Sequence, residues 1–366
     1  MLGEIILPKF RKHYKSGNHP IIFDLKKSTD VKKIKKLLSE YNGIRVVDEF
    51  SNQVQELREV NDPGSILKDI LEMSSPKISD ADGVWVFYPW NLALVHVLSK
   101  SDFLNLKHSR NNNLISKEEQ KQTGMLTVGF AGMNVGNSGA ICMALEGVGF
   151  KMKFADFDTL SLSNLNRFRA SLTDLGTNKT TLSARQVYEI NPFLKIEQFD
   201  KGISEKNIDK FLLNSKIDIL VEEVDNLPLK LELRKRARKH KIPVVMVTGN
   251  GSNLILDIER FDKDAKTPIL NGKLTKTVQR KVSNVKHLSK KEIIYLLRDF
   301  IGKEFLTERL CQSFDRIGVD LAGIPQLAEA TFLRGAVLTY VVRKIFTDGN
   351  ISSGRYNFCL DGIIKM

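Results

Sequence analysis

Five residues of this chain stand in an order that suits a phosphorylated ligand. Asp156 and Asp158 follow an apolar run, Asn164 and Arg167 come soon after, and Lys179 follows Asp174-Leu175-Gly176. The stretch from Phe154 reads Phe-Ala-Asp-Phe-Asp-Thr-Leu-Ser-Leu-Ser-Asn-Leu-Asn-Arg. Carboxylates can reach ribose hydroxyls or a divalent ion, while an arginine fork and a lysine offset phosphate charge. A second acidic group, Asp225-Asn226, ends the apolar run Ile217–Val224. Taken one at a time, these residues have plainer roles. Asp156 can cap a turn, and Asp158 can be its solvated neighbour. Asn164 and Arg167 can be a helix cap and a surface cation. Lys179 is one of 56 lysines and arginines, and Asp225-Asn226 suits a turn before Pro228. Their joint order is what points to a site.

The elements around them can position such a site. Leu126–Ala131 has the length and composition of a buried parallel strand. Gly132, Asn134, Gly136 and Gly139 open an apolar helical stretch that includes Ile141–Leu145, and Lys151–Phe154 is a second strand with Asp156 at its tip. Strand, glycine-rich turn, helix and strand make the first unit of a dinucleotide-type fold. Its helix N-terminus favours phosphate, and a carboxylate ending its second strand reaches ribose. The alternation continues through helix Ala184–Ile190, stopped by Asn191-Pro192, helix Leu229–His240 and strand Pro243–Thr248. Asp262–Lys291 is polar and basic without strong periodicity. Gln326–Phe346 reads as an apolar helix and Arg355–Leu360 as a closing strand before Asp361. In the first part of the chain, Ile21–Leu25, Ile44–Val47 and Val84–Tyr88 read as strands, Ala93–Leu98 as apolar and Val31–Tyr41 as a lysine-rich helix. No motif stands out there.

The run from Asp156 to Arg167 resembles, almost residue for residue, the DxDxVxxSNLxRQ signature of the ThiF-type adenylyltransferases. That superfamily includes the ubiquitin-activating enzymes. The resemblance spans roughly residues 109–259, with a weaker echo over 323–361. It implies an α/β fold, a Rossmann-like doubly wound sheet of the ThiF type, for the nucleotide domain over residues 106–366, while residues 1–105 read from their own strands and helix as an extra small N-terminal α/β domain. It implies an ATP-dependent adenylyltransferase that turns a carboxylate of a protein, peptide or small acceptor into an acyl-adenylate, with ATP and magnesium as cofactors. Gly132, Asn134, Gly136, Asp156, Asp158, Asn164 and Asn226 would then bind nucleotide, Arg167 and Lys179 would offset phosphate charge, and Asp225 would hold the magnesium. Ser109-Arg110, followed by Glu118-Glu119-Gln120, resembles a lead-in helix whose arginine crosses a dimer interface to the phosphates. The implied assembly is a homodimer with Arg110 catalytic in trans. One departure stands out. Where the family has GxGGxG, this chain has Ala131-Gly132-Met133-Asn134-Val135-Gly136. Two other readings follow: a relative of the tRNA threonylcarbamoyladenosine dehydratases, and a ThiF-fold binding protein without activity. A nicotinamide dehydrogenase has no use for Asn164, Arg167 and Lys179.

Composition agrees with an enzyme of a reducing compartment. The 366 residues are 42% hydrophobic, enough for two cores. Cys142, Cys311 and Cys359 form no CxxC pair, so no structural zinc is expected. The segment 262–291 holds no cysteine, which leaves Cys311 as the candidate for a thioester. No apolar run is long enough to span a membrane, and Met1–Lys15 lacks a signal-peptide core, so the expected place is the cytoplasm with no membrane partner. The formal charge of +13, with basic runs at 32–36, 234–241 and 273–291, suits an acidic protein or tRNA as partner.

Overall fold

Apolar runs bounded by turns become strands here, and amphipathic runs become the helices that cover them. The computed structural model describes residues 17–64, 79–360 and 362. The expectations placed on Met1–Lys15 and Asp361 lie outside the described residues. Contacts divide the chain into two units: the described part of Met1–Lys117 with Ala184–Phe193, and that of Glu118–Ser183 with Leu194–Met366.

The first unit contains β1 (Ile21–Phe23), α1 (Ser28–Glu40), β2 (Arg45–Asp48), α2 (Phe50–Asn61), β3 (Val84–Tyr88), β4 (Ala93–Val97) and α3 (Lys100–His108). Its sheet runs β1-β3-β4-β2, with β2 parallel to β4 and the other pairs antiparallel. Helix α1 turns Ile34 and Leu37 onto Phe23, Trp85, Phe87 and Leu94. Its lysines at 32, 33, 35 and 36 point to solvent, as the helical spacing of those two apolar residues dictates.

Helix α4 (Lys117–Gly124) leads into β5 (Thr127–Ala131), α5 (Met133–Glu146) and β6 (Lys151–Ala155). Then come α6 (Lys179–Ile190), β7 (Lys195–Phe199), α7 (Ile208–Leu213), β8 (Ile219–Glu222), α8 (Leu227–Lys239), β9 (Val244–Asn250) and β10 (Asn253–Glu259). The chain closes with α9 (Lys276–Ser283), α10 (Lys290–Ile301), α11 (Glu308–Arg316), α12 (Ala328–Thr347) and β11 (Gly354–Phe358). The sheet order is β11-β10-β9-β8-β5-β6-β7, parallel from β9 to β7 and antiparallel at the β10 and β11 edge. Every residue of β5 is buried, as a parallel strand covered on both faces requires. Helices α5 and α12 pack closely because Gly335 has no side chain; a Cβ there would lie 2.7 Å from the Ser138 carbonyl oxygen.

Three features depart from the sequence reading. The β9–β10 hairpin and the helices α10 and α11 were not expected. The segment 262–291 is not aperiodic: α9 carries Val278 and Val282 at helical spacing and packs them with Leu227, Met246 and Leu270. Eight residues leave room for few apolar marks, and lysines hide them. The basic run 234–241 is also not wholly a surface, because Arg234 is fully buried.

Candidate active site

The strand order reverses direction of growth at β5, whose neighbours are β6 on one side and β8 on the other. Ligands of open α/β sheets bind outside the carboxyl ends at such a point. A cavity of about 440 Å³ lies there. Asn134 and Val135 of the first turn of α5 line it, with Arg167 and with Glu223, Val224 and Asp225 beyond β8. Met246–Gly249 of β9 and Leu297, Phe300 and Ile301 of α10 add further wall. Leu227 and Lys230 of α8, Gly251, segment Gly323–Leu327 and Arg334 of α12 complete it.

The glycine-rich turn is shaped by its neighbours. Gly132 has φ of +93° and leaves no room for a side chain, since a Cβ would sit 2.5 Å from the Glu223 carbonyl oxygen. Gly136 is buried in α5, and a Cβ there would meet only ordinary contacts, 3.5 Å from Phe130. Met133 is buried, and its N–H donates to Asp156 Oδ2 at 2.7 Å. The other oxygen of Asp156 accepts from the Asp158 N–H at 2.9 Å. Burial raises the Asp156 pKa against the pull of these two donors.

Asp158 is exposed and pairs with Lys179 Nζ at 3.0 Å, at the start of α6. Asn164 is buried and caps its own turn, taking the Ser161 N–H at 3.1 Å on Oδ1. Arg167 Nη1 donates to the Asn166 side chain at 2.7 Å and the Ser163 carbonyl at 3.2 Å. Burial lowers the Arg167 pKa, and Asp225 opposes that. Asn226 caps α8 by accepting from the Leu229 N–H at 2.9 Å. Asp225 reaches solvent at the cavity, yet the surrounding protein still raises its pKa, with Lys230 opposing.

Of the expected site residues, the cavity therefore brings together Asn134, Arg167 and Asp225. Gly132, Gly136, Asp156, Asp158, Asn164, Lys179 and Asn226 lie around the same strand ends but do not line it. Arg110 belongs to the first unit, on the turn Ser109–Asn111. Two buried atoms at the cavity wall, Asn134 Oδ1 and Arg167 Nε, have no hydrogen-bond partner within the protein. Buried polar atoms are rarely left so, and a polar ligand can satisfy them. Among the described residues no group of three or more His, Cys, Asp or Glu side chains could hold a metal ion. A divalent ion at Asp225 would take its remaining ligands from phosphate oxygens and water. The segment 262–291 contributes no lining residue, and the cavity-lining side chains include no cysteine; Cys311 lies half-buried on α11.

Three charged cavity residues escaped the sequence reading: Lys230, unmarked among the cations of its helix, and Glu223 and Arg334. The signals of the last two were a doubled acid closing an apolar strand and a lone arginine within an apolar helical run. A buried ion-pair group stands behind Glu223. Glu222 accepts from Lys230 Nζ at 3.0 Å on both oxygens and also pairs with Arg234, which donates to Glu259 at 2.7 Å. Burial would raise the Glu222 pKa, but Lys230 and Arg234 outweigh it and hold it below the usual range. Glu222 also takes the Val224 N–H at 2.9 Å, so this group holds the turn that carries Asp225.

A parallel sheet with its cavity at the β5 switch point, and helices on its faces, is a Rossmann-like fold of the ThiF type. The chain carries a ThiF family domain, matched over residues 108–281. It is similar to the uncharacterized protein MT1398 of Mycobacterium tuberculosis (strain CDC 1551 / Oshkosh), 30% identical over 86% of this chain and 41% of that one. It is 27% identical to the molybdopterin-synthase adenylyltransferase of Haemophilus influenzae over 42% of this chain and 60% of that one. The crystal structure of E. coli MccB with ATP matches with a TM-score of 0.50 at 16% identity, over 78% of this chain and 91% of that one. At that identity the likeness shows the shared fold. The chain spans less than two thirds of the length of these curated relatives.

Proposed function

We propose that the protein is an ATP-dependent adenylyltransferase that activates the carboxylate of a protein, peptide or small acceptor. The observation that carries this is the cavity at the switch point, where Asn134, Arg167 and Asp225 meet and two buried polar atoms lack partners. In the proposed step an acceptor carboxylate oxygen forms a bond to the α-phosphorus. The bond from that phosphorus to its bridging oxygen breaks, and pyrophosphate leaves with the electron pair. Catalysis of this kind is mostly positioning and charge neutralisation.

The side chains fit those tasks. Arg167 would meet phosphate through its unpartnered Nε, and Lys179 would exchange Asp158 for a phosphate oxygen. Each Asp156 oxygen accepts one backbone N–H and keeps lone-pair capacity for a ribose hydroxyl. Asp225 would share a magnesium ion with the phosphates. By the same resemblance we propose a homodimer in which Arg110 serves the neighbouring site, with residues 1–105 as an N-terminal domain.

ATP with magnesium should raise the melting temperature by mass action, and pyrophosphate should exchange into ATP when an acceptor is supplied. Millimolar ATP that leaves both melting and calorimetric heat unchanged would rule the enzyme out. One observation favours a second reading, a binding protein without activity. Met133 fills the turn and its N–H is already taken by Asp156, so that amide is not free for phosphate. The same titration decides between the two.

A further inference from the structure

Residues 265–291 carry eight lysines and arginines and no aspartate or glutamate. Folding gathers most of that charge at one corner of the second unit, where α9 and α10 are joined by the short turn 284–289. Val278, Val282, Val285, Leu288 and Leu296 face inward there and pack with Leu227, Met246 and Leu270. Helical spacing that turns the apolar side chains in turns the cations out. Lys276, Arg280 and Lys281 of α9, Lys286 of the turn, and Lys290 and Lys291 of α10 are all exposed. None of the six makes a salt bridge among the described residues. The next acid in the chain, Glu292, accepts the N–H and the hydroxyl of Ser289 at 2.8 and 2.6 Å.

This charge stands where the local structure disfavours it. Lys290 and Lys291 occupy the first turn of α10, whose dipole repels cations. Like charges crowded on one corner repel each other as well. A bound polyanion relieves both effects. What else the corner contains decides which polyanion fits. Among the described residues no large hydrophobic side chain between Leu175 and Val319 is exposed, so this face lacks the apolar anchors on which protein interfaces are built. Unpaired bases need aromatic side chains to stack on. Residues 262–299 hold one Phe, Tyr or Trp, which is Tyr295. Its hydroxyl donates to Asp315 at 2.9 Å, and the Arg298 guanidinium lies over its ring at 4.9 Å. Charge alone is left to recognise the ligand, which suits a phosphate backbone whose bases are already paired.

We propose that the α9–α10 corner is a docking surface for the phosphate backbone of a double-stranded nucleic acid, bound through charge and without reading sequence. None of the six cations lines the cavity at the β5 switch point, so this surface stands apart from the adenylation reading.

The test uses the full chain without ATP. Fluorescence anisotropy follows binding to labelled RNA and DNA duplexes of about 20 base pairs, to the matching single strands and to polyglutamate. A duplex should bind more tightly than its single strand and than polyglutamate. Its affinity should fall about 10³-fold between 50 and 200 mM salt, the loss expected for six phosphate contacts. Changing Arg280, Lys281, Lys290 and Lys291 together to Gln should flatten the logarithmic salt slope by roughly 3. The milder pair Lys286→Gln and Lys290→Gln should flatten it by roughly 2, which keeps the test valid if the fourfold variant fails to fold. A comparison variant changes Lys32, Lys33, Lys35 and Lys36 of α1 to Gln; it removes the same charge from the first unit and should keep the slope. Equal flattening by the two fourfold variants would mean that net charge alone attracts the duplex, and would overturn the proposal. Tighter binding of the single strands would overturn it in favour of base stacking, and tighter binding of polyglutamate in favour of an acidic protein. With the proposal upheld, the tighter of the RNA and DNA duplexes identifies the source of the backbone.

Discussion

At the residue scale, the environment of each carboxylate sets what it can do. Glu223 lines the cavity but is enclosed by protein, and burial pushes its pKa above the usual carboxylate range, up to about 8. Lys230 and the Val247 N–H lower it, Glu222 raises it, and Arg334 lowers it. The folded state therefore holds this proton more tightly than the unfolded chain. Its stabilising effect is complete below pH 4.5, declines above that, and is lost by about pH 8. Glu223→Gln should flatten the fall in melting temperature across that window, and calorimetry at a series of pH values checks it. An unchanged slope would mean that Glu223 ionises normally. Asp225 has a different task. Asp225→Asn should depress magnesium-dependent turnover far more than metal-free nucleotide binding, because an amide is the weaker ligand for a hard cation. Equal losses in steady-state kinetics and calorimetric titration would assign Asp225 to the nucleotide or the fold.

At the element scale, the turn after β8 is held by charge rather than by apolar packing. Glu222, Lys230, Arg234 and Glu259 link β8, α8 and β10 out of solvent. Arg234→Ala leaves Glu222 and Glu259 short of a partner, and removing one member of a buried pair costs roughly 3–5 kcal/mol. Urea denaturation should show a loss of that size; a variant as stable as the parent would mean that water replaces the guanidinium. The α5–α12 contact is a second element-scale constraint. Gly335→Ala puts a Cβ 2.7 Å from the Ser138 carbonyl oxygen, so the helices must part. Overpacking of this kind costs about 1–3 kcal/mol, which thermal melting can read.

At the scale of the whole molecule, the open question is assembly. A two-fold dimer with composite sites predicts a specific complementation. Arg110→Ala and Lys179→Ala subunits are each expected to be impaired alone. Mixed, they form dimers in which one site carries both lesions and the other none, so pyrophosphate exchange should partly recover. No recovery would place Arg110 in its own chain's function, and a monomer by sedimentation across the working concentrations would remove the premise. Among the described residues no helix is long and apolar enough to cross a membrane.

Local order in the chain was enough to determine the β5–α5–β6 unit, the signature from Asp156 to Arg167, and the acid at the end of β8. These depend on short apolar runs and on turn residues close in sequence, which physical periodicity makes readable. Folding alone decided which of those residues share a cavity. Asn134, Arg167 and Asp225 converge because parallel strands end on one side of the sheet. Asn164 and Asn226, equally prominent in the sequence, are turned to capping their own backbone. The same cause hid Glu223 and Arg334, which come from the turn after β8 and from α12 and meet only through the packing of α12 on α5 and β9. Nor could the dense cations of residues 234–241 reveal that Arg234 is an internal counter-ion, because burial is settled by partners distant in the chain, Glu259 among them.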